Sequence, residues 1–386
     1  MEFSDYFSPV DFEKISIGTE YQDNQIGDCI RINPSSIDGI DLAFFSVSED
    51  RGSKFNQGSA KGADIVREYL YKLYQGPYSV KIADLGNIDS GNNLSDTYFA
   101  IKESVDFLLK KNVVPIIIGG SKDLSYGNYL AYTKQEQTIN IVDIDSQFSL
   151  GNSDDIINSE NYLGKILFHQ PNILFNYSNL GYQTYFVNQE ELNLIEDLFF
   201  DIHRLGLMKS EIQDAEPIIR NADMISFSLG AISQISAPAN KYSSPNGLNG
   251  EQACQLARYA GMSDKLTSIG FYEFNPLVND NDQTAHLLSQ MIWYFIDGFY
   301  NRKQDFPACN KNEYLKYTVA IDEGEQELSF YKSPKSDRWW MDVPYHHNFR
   351  KKYERHLMLP CSYKDYKVAT ENEIPERWFQ TFQKLK

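Results

Sequence analysis

The stretch Val113-Val114-Pro115-Ile116-Ile117-Ile118-Gly119-Gly120-Ser121-Lys122-Asp123-Leu124-Ser125-Tyr126-Gly127 decides the fold. An apolar run ends in a glycine pair, and a short polar segment follows. This is the pattern of a buried parallel strand that stops at a loop and hands over to a helix. Ligands in open α/β sheets bind at such strand C-terminal ends. Lys122 and Asp123 are therefore placed at a candidate site, together with whatever the next strand, Ile139 to Ile144, delivers.

Working outward, strand-like and helix-like patterns alternate. Strands are expected at Ile40–Ser46, Val80–Leu85, Gln183–Val187, Met224–Leu229 and Lys265–Tyr272. Helices are expected at Ala63–Leu73, from an N-cap at Ser95 to about Lys111, and at Leu124–Thr133, Ser159–Gln170, Gln189–Asp201, Ser210–Asn221, Gly250–Tyr259 and Asp282–Phe299. Such alternation predicts a parallel sheet covered by helices on both faces. The loop from Gly230 to Asn249 is long for a compact domain, which marks it as functional or docked.

After Tyr300 the pattern changes. Tyr314–Ile321, Gln326–Tyr331 and Trp339–Val343 read as a short antiparallel meander, with a turn at Ser333-Pro334-Lys335-Ser336-Asp337. The expected organisation is a wrapping segment over residues 1–38, an α/β domain over 39–303 and a C-terminal extension over 304–386, a β-meander plus helix.

The chain of 386 residues is 42% hydrophobic and 14% aromatic, enough for a sizeable core. Its net charge is −17, and the acidity lies in residues 1–300, with 20 Lys/Arg against 40 Asp/Glu; residues 301–386 hold 16 against 13. Such a body argues against nucleic acid, whose binding requires neutralised phosphates. The four cysteines (Cys29, Cys254, Cys309, Cys361) are far apart and form no CxxC. The first residues have neither a basic region nor an apolar core, and no apolar run nears the ~20 residues of a membrane span. A soluble, reducing, cytoplasmic setting without a membrane span is expected.

Six segments together resemble the ureohydrolases, the family of arginase, agmatinase and formiminoglutamase. Gly62-Ala63-Asp64-Ile65-Val66-Arg67 is similar to the family's early Gly-Pro-x-x-x-Arg. Asp84-Leu85-Gly86-Asn87-Ile88 is similar to Asp-x-Gly-Asp-Val, and Gly119 to Gly127 to the Gly-Gly-x-His segment in its formiminoglutamase form. Asp143 to Gln147 stands at Asp-Ala-His-x-Asp, and Ser226 to Gly230 at Ser-Phe-Asp-x-Asp. Glu273-Phe274-Asn275-Pro276 with Thr284-Ala285 is similar to Glu-Val-Asn-Pro…Thr-Ala. The resemblance implies a three-layer α/β/α arginase-like fold with a mostly parallel sheet, often oligomeric.

The resemblance also implies a site of two Mn²⁺ ions held by two His and four Asp, whose hydroxide attacks an amidine carbon. The positions that would hold the metals carry Lys122, Asp143, Asp145, Gln147, Ser228 and Gly230. One or two carboxylates beside a lysine cannot hold two hard dications. No catalytic residue and no cofactor is therefore expected. If any metal binds, Asp143 and Asp145 are its ligands, and Mn²⁺ belongs only to an alternative, an active amidine hydrolase with a rearranged site. A Lys122–Asp143 ion pair is expected in place of the metals. Asp123, Glu273 and Asn275 are candidates for a residual ligand pocket, with Glu273 and Asp145 holding a guanidino or amino-acid ligand. The family's aspartate after Glu-Val-Asn-Pro is Asn279 here.

None of the six histidines shows ligand spacing, and adjacent His346 and His347 point to opposite faces of an extended segment. The basic run Arg350 to His356 is either a solvated helix face or, since the body is acidic, a segment that docks on it. Trp339 and Trp340 lie on opposite faces of a strand: either both are buried, or one packs against the body and the other is offered to a partner. The expected function is a ureohydrolase-fold pseudoenzyme: a scaffold, regulatory or ligand-sensing protein that self-associates and binds an unidentified protein partner through its C-terminal extension.

Overall fold

The computed structural model describes residues 3–15, 20–135, 137–152, 155–278, 281–307, 311–321, 324, 326–345 and 350–386. Among the described residues nine strands form one sheet: β1 (Arg31–Ile32), β2 (Leu42–Ser48), β3 (Ile82–Asp89), β4 (Val114–Ile118), β5 (Ile139–Ile144), β6 (Leu174–Tyr182), β7 (Asp201–Arg204), β8 (Met224–Ser228) and β9 (Ser268–Tyr272). Their order is β1-β3-β2-β4-β9-β8-β5-β6-β7, and every pairing is parallel. The decisive stretch is β4, which lies between β2 and β9 and is buried throughout.

Side chains alternate between two cores, as the two-residue period of a strand requires. Ile116, Ile118, Ile225 and Phe227 join the core that also contains Val66, Leu256 and Ile292 of covering helices. Ile117, Ile141 and Met224 join the opposite core with Ile101, Tyr129, Ile166 and Ile195. Each fully buried Ile or Phe stabilises the fold by roughly 1.5–3 kcal/mol. The result is the three-layer α/β/α architecture.

Four segments differ from expectation. The helix Leu94–Lys110 is capped by Asn93, not Ser95: Asn93 accepts from Asp96 N, and the Asp96 side chain returns the bond to the cap. The expected strand at Gln183–Val187 is instead β6, further upstream. Its Asn176, Ser178 and Asn179 look like loop residues in sequence, yet all three are buried. Asn176 and Ser178 both donate to Asp201 of β7, at 2.7 and 2.9 Å, so the polar groups are satisfied within the sheet. The helix expected over Gln189–Asp201 stops at Asp197 and leaves room for β7. The helix expected over Ser210–Asn221 breaks into shorter pieces, the last being Ala215–Arg220 with Pro217 in its first turn.

In the C-terminal region β10 (Leu315–Ile321), β11 (Gln326–Lys332), β12 (Trp339–Asp342) and β13 (Met358–Cys361) form an antiparallel sheet in that order. Phe330, Met341, Leu359, Trp378 and Leu385 make its core, and Phe175 of β6 enters it. The basic run docks on the body through Arg355 and His356. Arg355 Nη2 lies 2.7 Å from Asp223 Oδ1, and His356 Nε2 lies 3.0 Å from Thr138 Oγ1. From the body, Arg220 donates to the carbonyls of Trp339 and Cys361 at 3.2 and 3.1 Å. Among the described residues no helix is long and apolar enough to cross a membrane.

Candidate functional site

The strand order reverses between β4 and β5, so the C-terminal ends of β4, β9, β8 and β5 lie side by side. This is where an open α/β sheet opens a crevice. Each strand delivers its candidate residue just past its end: Lys122 and Asp123 after β4, Asp145 after β5, Glu273 and Asn275 after β9, Gly230 after β8.

Gly120 is required at the first of these ends. A Cβ there would lie 2.0 Å from the carbonyl oxygen of Glu49. Its own carbonyl accepts from Glu273 N at 2.8 Å. The glycine pair thus brings two strand ends together and aims Lys122 inward.

Lys122 Nζ lies 2.9 Å from Asp143 Oδ2 and also donates to Asp145 Oδ2. The three side chains are 3%, 0% and 5% exposed, so the triad is sealed from water. Tyr177 donates its hydroxyl to Asp143 Oδ2 at 2.9 Å, and Ser146 N donates to Asp145 Oδ1 at 2.6 Å. The ammonium also faces the Tyr162 ring, 5.3 Å from its centroid. Burial alone disfavours a charged lysine, but Asp143 and Asp145 outweigh it and hold Lys122 above its ordinary range. Asp143 is pushed up to about 6 by burial, against the pull of Lys122.

Glu273 supports this arrangement from β9. Its Oε1 accepts from Lys122 N at 2.8 Å, and its Oε2 from Asn56 Nδ2 at 2.8 Å. Its backbone has φ +75°, a left-handed conformation that costs a non-glycine residue about 1–3 kcal/mol. Asn56 Nδ2 also donates to the Glu273 carbonyl at 2.9 Å and so holds the strained turn. Burial pushes the Glu273 carboxyl up to about 8. Asp123 is raised to about 6 by burial, although Tyr98 donates to it at 2.5 Å.

The remaining candidates fall around this centre. Ser228 Oγ accepts from Gly230 N at 3.1 Å and closes a tight turn. A Cβ at Gly230 would lie 3.1 Å from Ser228 Oγ and 3.5 Å from Asp145 Oδ1, so position 230 still points at the triad. Gln147 is at the edge, its carbonyl accepting from Asn179 Nδ2 at 3.3 Å. Asn275 donates to Asn56 Oδ1 and to the Gln57 carbonyl, both at 3.0 Å, which makes it a clamp on the loop before Gly58. The long loop after Gly230 is docked here as well: Lys241 N donates to Asn56 Oδ1 at 3.1 Å.

Trp339 and Trp340 lie away from the site. Trp340 is buried under Arg220, whose guanidinium carbon is 4.5 Å from its ring, and so offers no partner surface. Trp339 is partly buried against Tyr317, Tyr363 and Tyr366 at 5.1–5.7 Å. Asn279, His346 and His347 lie outside the described residues.

Sequence reasoning missed Asn56, Tyr162 and Tyr177. Asn56 sits in a polar loop with no motif. Tyr177 lies in the strand that its polar neighbours disguised. Tyr162 opens a helix whose turn toward the site no periodicity announces.

The fold and the six segments, four of them at these strand ends, define the class as ureohydrolase-like. The Arginase family model matches residues 40–297, and the chain belongs to that family. The formimidoylglutamase of Streptococcus gordonii is 25% identical over 288 residues, covering 68% of this chain and 85% of the relative. That of Staphylococcus haemolyticus is 27% identical over 278 residues, covering 68% and 88%. Among solved structures, Bacillus subtilis formimidoylglutamase superposes with TM-score 0.67 at 19% identity, covering 74% of this chain and 96% of that one. Trypanosoma cruzi formiminoglutamase with Mn²⁺ gives TM-score 0.64 at 19% identity, covering 70% and 96%.

Two Mn²⁺ ions do not fit the residues present here. The ammonium of Lys122 already occupies the space between the two carboxylates that remain, and a cation there repels a second cation. Ser228 offers a neutral hydroxyl and Gly230 no side chain. Among the described residues, no group of three or more His, Cys, Asp or Glu is arranged to hold a metal ion.

Proposed function

We propose that this arginase-family chain is a pseudoenzyme, in which a buried Lys122–Asp143–Asp145 ion cluster stands in for the dinuclear manganese centre. One observation carries the reading: Lys122 Nζ donates to both carboxylates inside the sealed site. A protonated, doubly paired ammonium is neither a nucleophile nor a base, and Asp123 and Glu273 beside it accept structural hydrogen bonds. The strand ends keep the geometry of a site whose positive charge is covalently attached.

The function left to such a fold is a scaffold, regulatory or ligand-sensing one in the cytoplasm. Among the described residues β10 forms an unpaired edge, with Leu315 and Tyr317 exposed on it, which supports self-association or a partner at the C-terminal extension, because such an edge is a template for another strand. An assay for release of formamide, urea or ammonia from formiminoglutamate, arginine and agmatine with added Mn²⁺ tests the reading. No turnover is expected; turnover that depends on Mn²⁺ would overturn it.

A second reading is an amidine hydrolase with a rearranged, single-metal site. Two observations favour it. The matched relatives are formimidoylglutamases, and Asp143 Oδ1 is buried without a hydrogen-bond donor among the described residues, as a metal-ligating oxygen would be. Substitution of Lys122 separates the two, since a catalytic metal site would keep its metal without the lysine.

A further inference from the structure

A cavity of about 530 Å³ lies where β6 meets the helices Tyr162–Leu167 and Gln189–Asp197 and the C-terminal helix Glu376–Leu385. It shares no lining residue with the ion cluster, and its size is that of a small-molecule site. We propose that it binds an amphipathic carboxylate, a molecule with an apolar chain or ring and one carboxylate head.

The walls are aliphatic and aromatic, with Leu167, Phe168, Leu194, Leu198 and Phe200 among them. Phe168 and Leu194 are 72% and 44% exposed at the rim, which leaves apolar surface at the entrance for a ligand to cover. Among the described residues, the charged lining residues are Lys352 and Lys384, with no Asp or Glu beside them. In a chain of net charge −17 this is a local reversal of sign. It selects an anion over a cation.

Lys384 is the head-group residue. Its ammonium sits 5.4 Å from the Phe200 centroid and 6.0 Å from that of Phe175, and it donates to Asn176 Oδ1. An ammonium has three donors, so a carboxylate can take a further one. Burial pulls Lys384 down to about 8, and Asp201 pulls the other way. Asp201 is outside the cavity lining and accepts from Asn176 and Ser178. A ligand carboxylate would therefore meet a poorly solvated cation, where a charge-assisted hydrogen bond is strong.

Calorimetric titration of the full chain with decanoate, decanol and decylamine tests the proposal. Saturable one-to-one binding of decanoate is expected, with decylamine far weaker. Lys384→Met should weaken decanoate about tenfold and leave decanol unchanged, the size of one lost charge-assisted hydrogen bond. Leu194→Trp, at a half-exposed rim position, should block all three ligands without touching the lysine. Equal binding of decylamine and decanoate, or no saturable decanoate binding, would overturn the proposal. So would decanoate affinity unchanged in Leu194→Trp.

Discussion

Lys122 Nζ and Asp143 Oδ2 lie 2.9 Å apart between two strand ends, in side chains 3% and 0% exposed. A buried pair of this kind is costly to break from one side only, because the partner charge is left desolvated. Lys122→Met should therefore lose about 3–5 kcal/mol in urea denaturation. Adding Asp143→Asn and Asp145→Asn to it should recover part of that loss. If Lys122→Met costs no more than a surface substitution, the ion cluster does not hold the site together.

The carboxyl of Glu273 gives a pH dependence of known sign. Its native value, about 8, lies above the ordinary glutamate value. The unfolded chain therefore loses this proton first. The stability contributed by Glu273 is complete below about pH 4, and it is lost as pH rises toward 8. Glu273→Gln should flatten the fall in stability over that window. Equal slopes for variant and parent would show that Glu273 is already ionised in the fold.

Position 230 still points at Asp145, so the metal geometry should be recoverable. The variant carrying Lys122→His, Gln147→Asp, Ser228→Asp and Gly230→Asp supplies imidazole and carboxylate ligands at the family positions. It should bind Mn²⁺ measurably in isothermal titration. Failure of a folded variant to bind would mean that the strand ends have moved too far to hold the ions.

Arg220 should be the main fastener of the C-terminal sheet. It donates to the Trp339 and Cys361 carbonyls and lies over the Trp340 ring. Arg220→Ala removes two charge-assisted hydrogen bonds to these carbonyls, at about 1.5–3 kcal/mol each. Hydrogen exchange should accelerate in β12 and β13 while β4 stays protected. Uniform exchange across both sheets would show that the extension does not open separately.

Much of this was legible in the sequence because parallel strands announce themselves. Val114–Ile118 and Met224–Ser228 are short apolar runs ending in glycine-bearing loops, and both are strands. The substitution of Lys122 could be read as chemistry, since a cation beside Asp143 and Asp145 has one obvious use. What was hidden depends on tertiary satisfaction of polar groups. Asn176 and Ser178 look like loop residues until Asp201 is placed beside them. Asn56 looks like part of a polar loop until it meets Glu273, more than two hundred residues away. Trp340 could be assigned to a strand face that was either buried or free, and Arg220 over its ring shows that it is buried.

In the proposed pseudoenzyme a lysine occupies the place of the metals. Equilibrium dialysis of the purified full chain against Mn²⁺, followed by metal analysis, tests this. The ion cluster predicts essentially no retained Mn²⁺ in the parent chain. Retention of about two Mn²⁺ per chain, the stoichiometry of a two-metal site, would contradict it.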